Sequence, residues 1–102
     1  MNRGEIWLAH VGRKHRPVLV LTRDEVIDVR ALVTVAEIMT SPRGLTVEVA
    51  LDHDEVGLST PSVVNCDGLH TVTKPTLTSY VGTVDDDTMR LICRAVSDAI
   101  GC

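Results

Sequence analysis

With 102 residues the chain is long enough for one core and too short for two, and an apolar content of 44% lets that core form. A formal net charge of −4 argues against indiscriminate wrapping of nucleic acid, and no apolar stretch is long enough to cross a membrane. Cys66, Cys93 and Cys102 are an odd number with neither CxxC nor metal-like spacing, so they read as reduced thiols and argue against a disulfide framework.

Aromatic residues are nearly absent, with Trp7 and Tyr80 alone and no Phe, so the core must be built from Val, Leu, Ile and Ala. Many β-branched residues in short runs favour strands over a helical bundle. In chain order, "EIWLAHV" (5–11) predicts a strand that ends at a basic loop. "PVLVLT" (17–22) predicts a second strand, with Pro17 tolerated at its first position and an apolar run that suggests burial on both faces. "RDEVIDVRA" (23–31) is charged and turn-like, with room for a brief helical turn, and "ALVTVAEIMT" (31–40) is a third strand. "SPRG" (41–44) reads as a tight turn into "LTVEVAL" (45–51), whose strict alternation marks a half-buried strand, and the two strands together read as a hairpin. A polar loop (52–61) leads to short strands 62–66 and 70–74 around a turn at Asp67-Gly68, then to a last strand, 78–84.

The period then changes. Met89, Ile92, Cys93, Val96 and Ile100 fall on one helical face, Asp85 to Asp87 supply an N-cap and negative charge, and Gly101 suits the C′ position. The expected fold is one domain over 1–102, mainly β with a C-terminal helix, curled into a small barrel or half-barrel. The start "MNRGEIW" lacks the apolar core of a signal peptide, which places the protein in the cytoplasm.

Charge is unevenly spread. Residues 1–43 hold seven Lys/Arg against five Asp/Glu, whereas residues 44–102 hold three against nine. Arg13, Lys14, His15 and Arg16 crowd between Gly12 and Pro17, just ahead of the apolar run. Such a loop can handle a polyanion locally while the acidic remainder limits non-specific binding.

Four pieces, in order, resemble the MazF/PemK (Kid-like) family of bacterial toxin–antitoxin ribonucleases: "RGEIWLA" (3–9), "RPVLVLTRD" (16–24), "VAEIMTSPRGLTVEV" (35–49) and "SVVNCDGLHTV" (62–72), completed by "VGTVDDDTMRLICRAV". The resemblance implies an SH3-like barrel of the CcdB/PemK toxin type and a homodimer. It also implies cleavage of single-stranded RNA without a metal or other cofactor, and inhibition by a cognate antitoxin whose disordered tail covers the RNA groove.

Cleavage through the 2′-hydroxyl needs a proton acceptor, a proton donor and a cation for the charge that builds on phosphorus. Arg16 suits the last service, since a guanidinium can donate two parallel hydrogen bonds to phosphate oxygens, and the family's catalytic Arg precedes the Pro of this same strand. The family's second catalytic group is a Thr where this chain carries Met39. Either Thr40 or Ser41 takes its place, or that hydroxyl's contribution is missing. The compact "HVGRKHR" also lacks an acidic residue found in many relatives and leaves His10 and His15, of which His15 is the candidate for proton transfer. Arg13, Lys14, Arg43, Asp67 and His70 complete the residues expected to contact RNA; Asp67 could equally close an Asx turn beside Gly68, which replaces a Gln usual in many relatives. "DHDE" (52–55) reads as a solvated loop and not a metal site. Two other readings stand beside the ribonuclease: a toxin of the same barrel that poisons a protein such as a DNA gyrase, and a non-catalytic RNA-binding module.

Overall fold

A valine-rich chain without large aromatics builds its core from sheet faces, and the strand at its centre must be apolar on both sides. The computed structural model describes residues 1–102 and shows this arrangement. Its elements are β1 (Glu5–Val11), β2 (Lys14–Val20), α1 (Asp24–Ile27), β3 (Leu32–Met39), β4 (Glu48–Leu51), β5 (Ser62–Thr73), a 3₁₀ turn (Lys74–Thr76), β6 (Leu77–Thr83) and α2 (Asp86–Ile100). The six strands form one sheet in the order β4-β5-β3-β2-β1-β6, with every pair antiparallel.

Within β2, Leu19 joins a cluster with Ile6, Ala36, Ile38, Val64 and Ile92, while Val18 and Val20 point to the other face, among Ala9, Ile27, Val33, Val35 and Leu77. The run is therefore buried on both sides, as its sequence suggests. Helix α2 closes the first cluster with Ile92 and Ala95. The Asp85 carboxylate accepts from the Thr88 amide at 2.7 Å, and Gly101 ends the helix with φ +79°. The expected apolar stripe needs one correction: Ile100 is exposed, and Ala95 joins Ile92 in the core instead.

Three further expectations change. Strand β2 begins at Lys14 and not at Pro17, because Val11 pairs with Lys14 across a two-residue Gly12-Arg13 turn, in which Gly12 takes φ +60°. A Gly at the first central position matches the twist of a two-residue hairpin, so most of the basic "loop" is strand. The hairpin expected from "SPRG" does not form, since β5 lies between β3 and β4. Segments 62–66 and 70–74 are one strand of 12 residues. Ala36 pairs with Leu69 and Glu37 with Asn65, so Cys66, Asp67 and Gly68 form a bulge where a turn at Asp67-Gly68 was expected.

Edge strands β4 and β6 do not pair, so the sheet curls without closing into a barrel. The gap is bridged by contact alone. A Cβ on Gly82 of β6 would strike the Val56 carbonyl, and one on Gly57 would stand 2.6 Å from the Val81 carbonyl oxygen. No backbone hydrogen bond joins these segments. No helix is long and apolar enough to cross a membrane.

The thiols occupy three environments: Cys66 is buried, Cys93 intermediate and Cys102 exposed. Burial pushes the Cys66 thiol up to about 11, with a smaller contribution from Cys93. A thiol reagent at neutral pH should therefore label Cys102 first and Cys66 only on unfolding. Mass mapping of the native protein checks the order, and early labelling of Cys66 would contradict it.

Candidate nucleic-acid interface

The groove is laid out by strand register. Ala9 pairs with Arg16, Trp7 with Val18, Val18 with Glu37, Val20 with Val35, and Val35 with His70. Alternation then sets Arg16, Val18, Glu37, Val35 and His70 on one face, across β2, β3 and β5. Met39 lines the same groove as Arg16. These residues line a groove of about 740 Å³, together with Gly12 of the β1–β2 turn and with Thr71 and Thr76.

Arg16 is exposed at the mouth of the buried run and has no ion-pair or hydrogen-bond partner for its guanidinium within the protein. It presents an uncompensated cation on a scaffold whose next residues are fixed on both faces. Arg13 and Lys14 are likewise exposed at the hairpin tip, next to groove-lining Val11 and Gly12. Phosphates of a bound strand would meet these cations in turn. The one carboxylate in the groove, Glu37, is already occupied: its Oε1 lies 2.7 Å from His70 Nε2.

The other expected residues lie elsewhere. His15 belongs to the His10–His15 pair, stacked with ring centroids 4.9 Å apart, and its Nδ1 lies 3.4 Å from Thr78 Oγ1. Because adjacent pairs point to opposite faces, His15 turns away from Arg16. His10 borders the groove, whereas His15 does not. Met39 lines the groove, while Thr40 and Ser41 follow it in an exposed segment outside it. Asp67 sits exposed on the β5 bulge, its amide donating to Asn65 Oδ1 at 3.1 Å. Arg43 also lies outside the groove, 3.7 Å from Glu48. Sequence reasoning missed Glu37, Thr71 and Thr76. A signal for Glu37 was present, since it is the only charge in "LVTVAEIM" and interrupts its apolar face.

Glu48 organises the segment between β3 and β4. Its carboxylate accepts from the amides of Arg43 (2.9 Å) and Leu45 (3.1 Å), which explains why "SPRG" folds around a side chain and not into a hairpin. Partial desolvation pushes its pKa up, but the Leu45 and Arg43 amides and the Arg43 guanidinium outweigh that and hold it below the ordinary 4.5. A depressed folded value means the stabilisation is complete above about pH 4.5 and is lost as pH falls through the folded value. Amide exchange at residues 43–45 should therefore quicken on acidification before the sheet loosens, and Glu48→Gln should quicken it at neutral pH. Exchange that is unchanged in both cases would contradict this role.

Comparison with known proteins fits this geometry. The family model described as PemK-like, MazF-like toxin of type II toxin-antitoxin system matches residues 2–100. The chain belongs to this family. Its relatives include a protein named "Probable endoribonuclease MazF5" from Mycobacterium tuberculosis, 38% identical over 98% of this chain and 93% of that protein. Among solved structures, the Mycobacterium tuberculosis toxin MazF-mt6 aligns with a TM-score of 0.88 and 37% identity, covering 95% of this chain and 96% of its own. A mycobacterial endoribonuclease in complex with its cognate antitoxin aligns with a TM-score of 0.86 and 27% identity, covering 99% and 95%. The curled sheet and C-terminal helix are those of MazF-type toxins, without hydrogen-bonded closure between the edge strands in this chain.

Proposed function

We propose that this toxin is an endoribonuclease that cleaves single-stranded RNA at selected sequences by attack of a 2′-hydroxyl on the adjacent phosphate, without a metal ion. The observation that carries the reading is Arg16, an unpaired guanidinium on the groove face, flanked by Arg13 and Lys14. Support comes from relatives named as endoribonucleases over nearly the whole chain. In this reading Arg16 donates to the non-bridging oxygens of the scissile phosphate, where charge accumulates as the phosphorane forms. Arg13 and Lys14 hold the neighbouring phosphates and fix the strand's register without reading its bases.

The protein works in the cytoplasm as a homodimer and is held inactive by a cognate antitoxin, whose disordered tail lies over the same groove. A neighbour solved in complex with its cognate antitoxin supports the pairing with an antitoxin. Sedimentation at micromolar concentration should give twice the chain mass of 11.1 kDa; a monomer there would remove the dimer from the reading.

The deciding experiment incubates a mixed-sequence single-stranded RNA with wild type and Arg16→Ala in EDTA. Discrete cuts with 5′-hydroxyl and 2′,3′-cyclic phosphate ends are expected from wild type, and a loss of roughly 10²–10³-fold from the variant. Met39, an apolar side chain that lines the groove with Arg16, favours a second reading, a module that binds RNA without cutting it. A folded wild type that shifts RNA on a gel but leaves it intact would decide for that reading.

A further inference from the structure

Attack by a 2′-hydroxyl needs a group that takes up a proton near neutral pH, and neither Arg16 nor Met39 can do so. His15 does not line the groove. Two other side chains in the groove are equipped for the work. His70 Nε2 lies 2.7 Å from Glu37 Oε1, and the two side chains are 53% and 44% exposed, open to a ligand and yet fixed to each other. They come from different strands, β5 and β3, brought together by the register that also sets Arg16 on this face. The bulge makes room for the pair: a Cβ on Gly68 would stand 2.7 Å from Glu37 Oε2 and 2.8 Å from Asn65 Nδ2.

We infer that Glu37 and His70 form the proton-transfer pair of the groove, with His70 as the group that takes the 2′-hydroxyl proton and Glu37 as the positioning residue that holds its ring. The inference rests on the ribonuclease reading above. An imidazole that donates Nε2–H to a carboxylate carries its lone pair on Nδ1, and the carboxylate stabilises the imidazolium formed when Nδ1 is protonated. The 2′-oxygen attacks phosphorus as its proton passes to Nδ1. The P–O5′ bond breaks with its electron pair staying on O5′, which takes a proton from water; the imidazolium then returns its proton to the hydroxide left behind. The products are a 2′,3′-cyclic phosphate and a 5′-hydroxyl. The pair thus supplies the proton transfer that a hydroxyl at Met39 cannot. Besides Glu37, the charged or titratable groups that line the groove with His70 are Arg16 from β2 and His10 from β1.

The test is the single-turnover rate of RNA cleavage between about pH 5 and pH 9 for wild type, Arg16→Ala, His70→Gln, Glu37→Gln and Gly68→Ala, with thermal melts to show that each folds. Wild type should lose rate on the acid side. His70→Gln should lose roughly 10²–10⁴-fold together with that acid limb, and added imidazole should restore part of the activity of His70→Ala. Glu37→Gln and Gly68→Ala, which release or displace the carboxylate while leaving the imidazole in place, should give intermediate losses with the acid limb kept. If His70→Gln keeps the wild-type rate and limb while Arg16→Ala is inactive, the ribonuclease reading stands and the pair is overturned. A rise in KM alone, with kcat and the limb intact, overturns it in favour of a base contact. An RNA left whole by wild type removes the ribonuclease reading and the proton-transfer role with it.

Discussion

The register of β2 is the constraint on which the rest depends. Val18, Leu19 and Val20 are each 5% exposed or less and are divided between the two faces of the sheet. A slip by one residue would exchange the faces, setting Leu19 against Ile27 and Leu77 and the two valines against α2. The same slip would turn Arg16 out of the groove and bring His15 in. The apolar run therefore does more than fill the core: it decides that Arg16, and not His15, lines the groove. Rigidity at Val18 is inherited by Arg16, two residues away and on the same face.

Much of this was legible in the sequence. The continuous run at 18–21 announced two-sided burial, and the change of period at residue 85 announced α2 with both of its caps, since these signals are local. The errors over "SPRG" and Asp67-Gly68 share one cause, which is that pairing between distant strands leaves little local trace. "SPRG" has the composition of a hairpin turn, but it gathers around the Glu48 carboxylate, and the strand that pairs with β3 lies more than twenty residues later. Asp67-Gly68 has turn chemistry, yet β3 is long enough to pair on both sides of it, which turns it into a bulge. In the site, Arg16 could be found from its place before Pro17, and Met39 from its departure from the family pattern. His15 lies outside the groove because nearness in sequence to Arg16 means opposite faces in a strand. Glu37 and His70, 33 residues apart, become neighbours only once β3 and β5 are paired.

Charge follows the same division of labour. The unpaired cations gather at the β1–β2 hairpin, while acidic residues collect at the start of α2 and in the loop after β4. The caps use some of that acidity: the Thr88 amide donating to the Asp85 carboxylate holds its pKa below the ordinary value, with a weaker contribution from Arg90. A net negative protein can thus offer a positive hairpin because the two signs serve different elements, one held by strand register and the other by a helix terminus.

The seam between the sheet edges has a mechanical meaning. Where Val56 and Gly57 press on Val81 and Gly82, backbone meets backbone with no hydrogen bond to hold it. Close-packed atoms resist further approach steeply but resist separation only through dispersion and the apolar area they bury. The curl therefore has a hard stop in one direction and a soft return in the other. Tightening would require the two backbones to interpenetrate, whereas spreading breaks no directional bond. Breathing of the sheet should be one-sided, toward the flatter form.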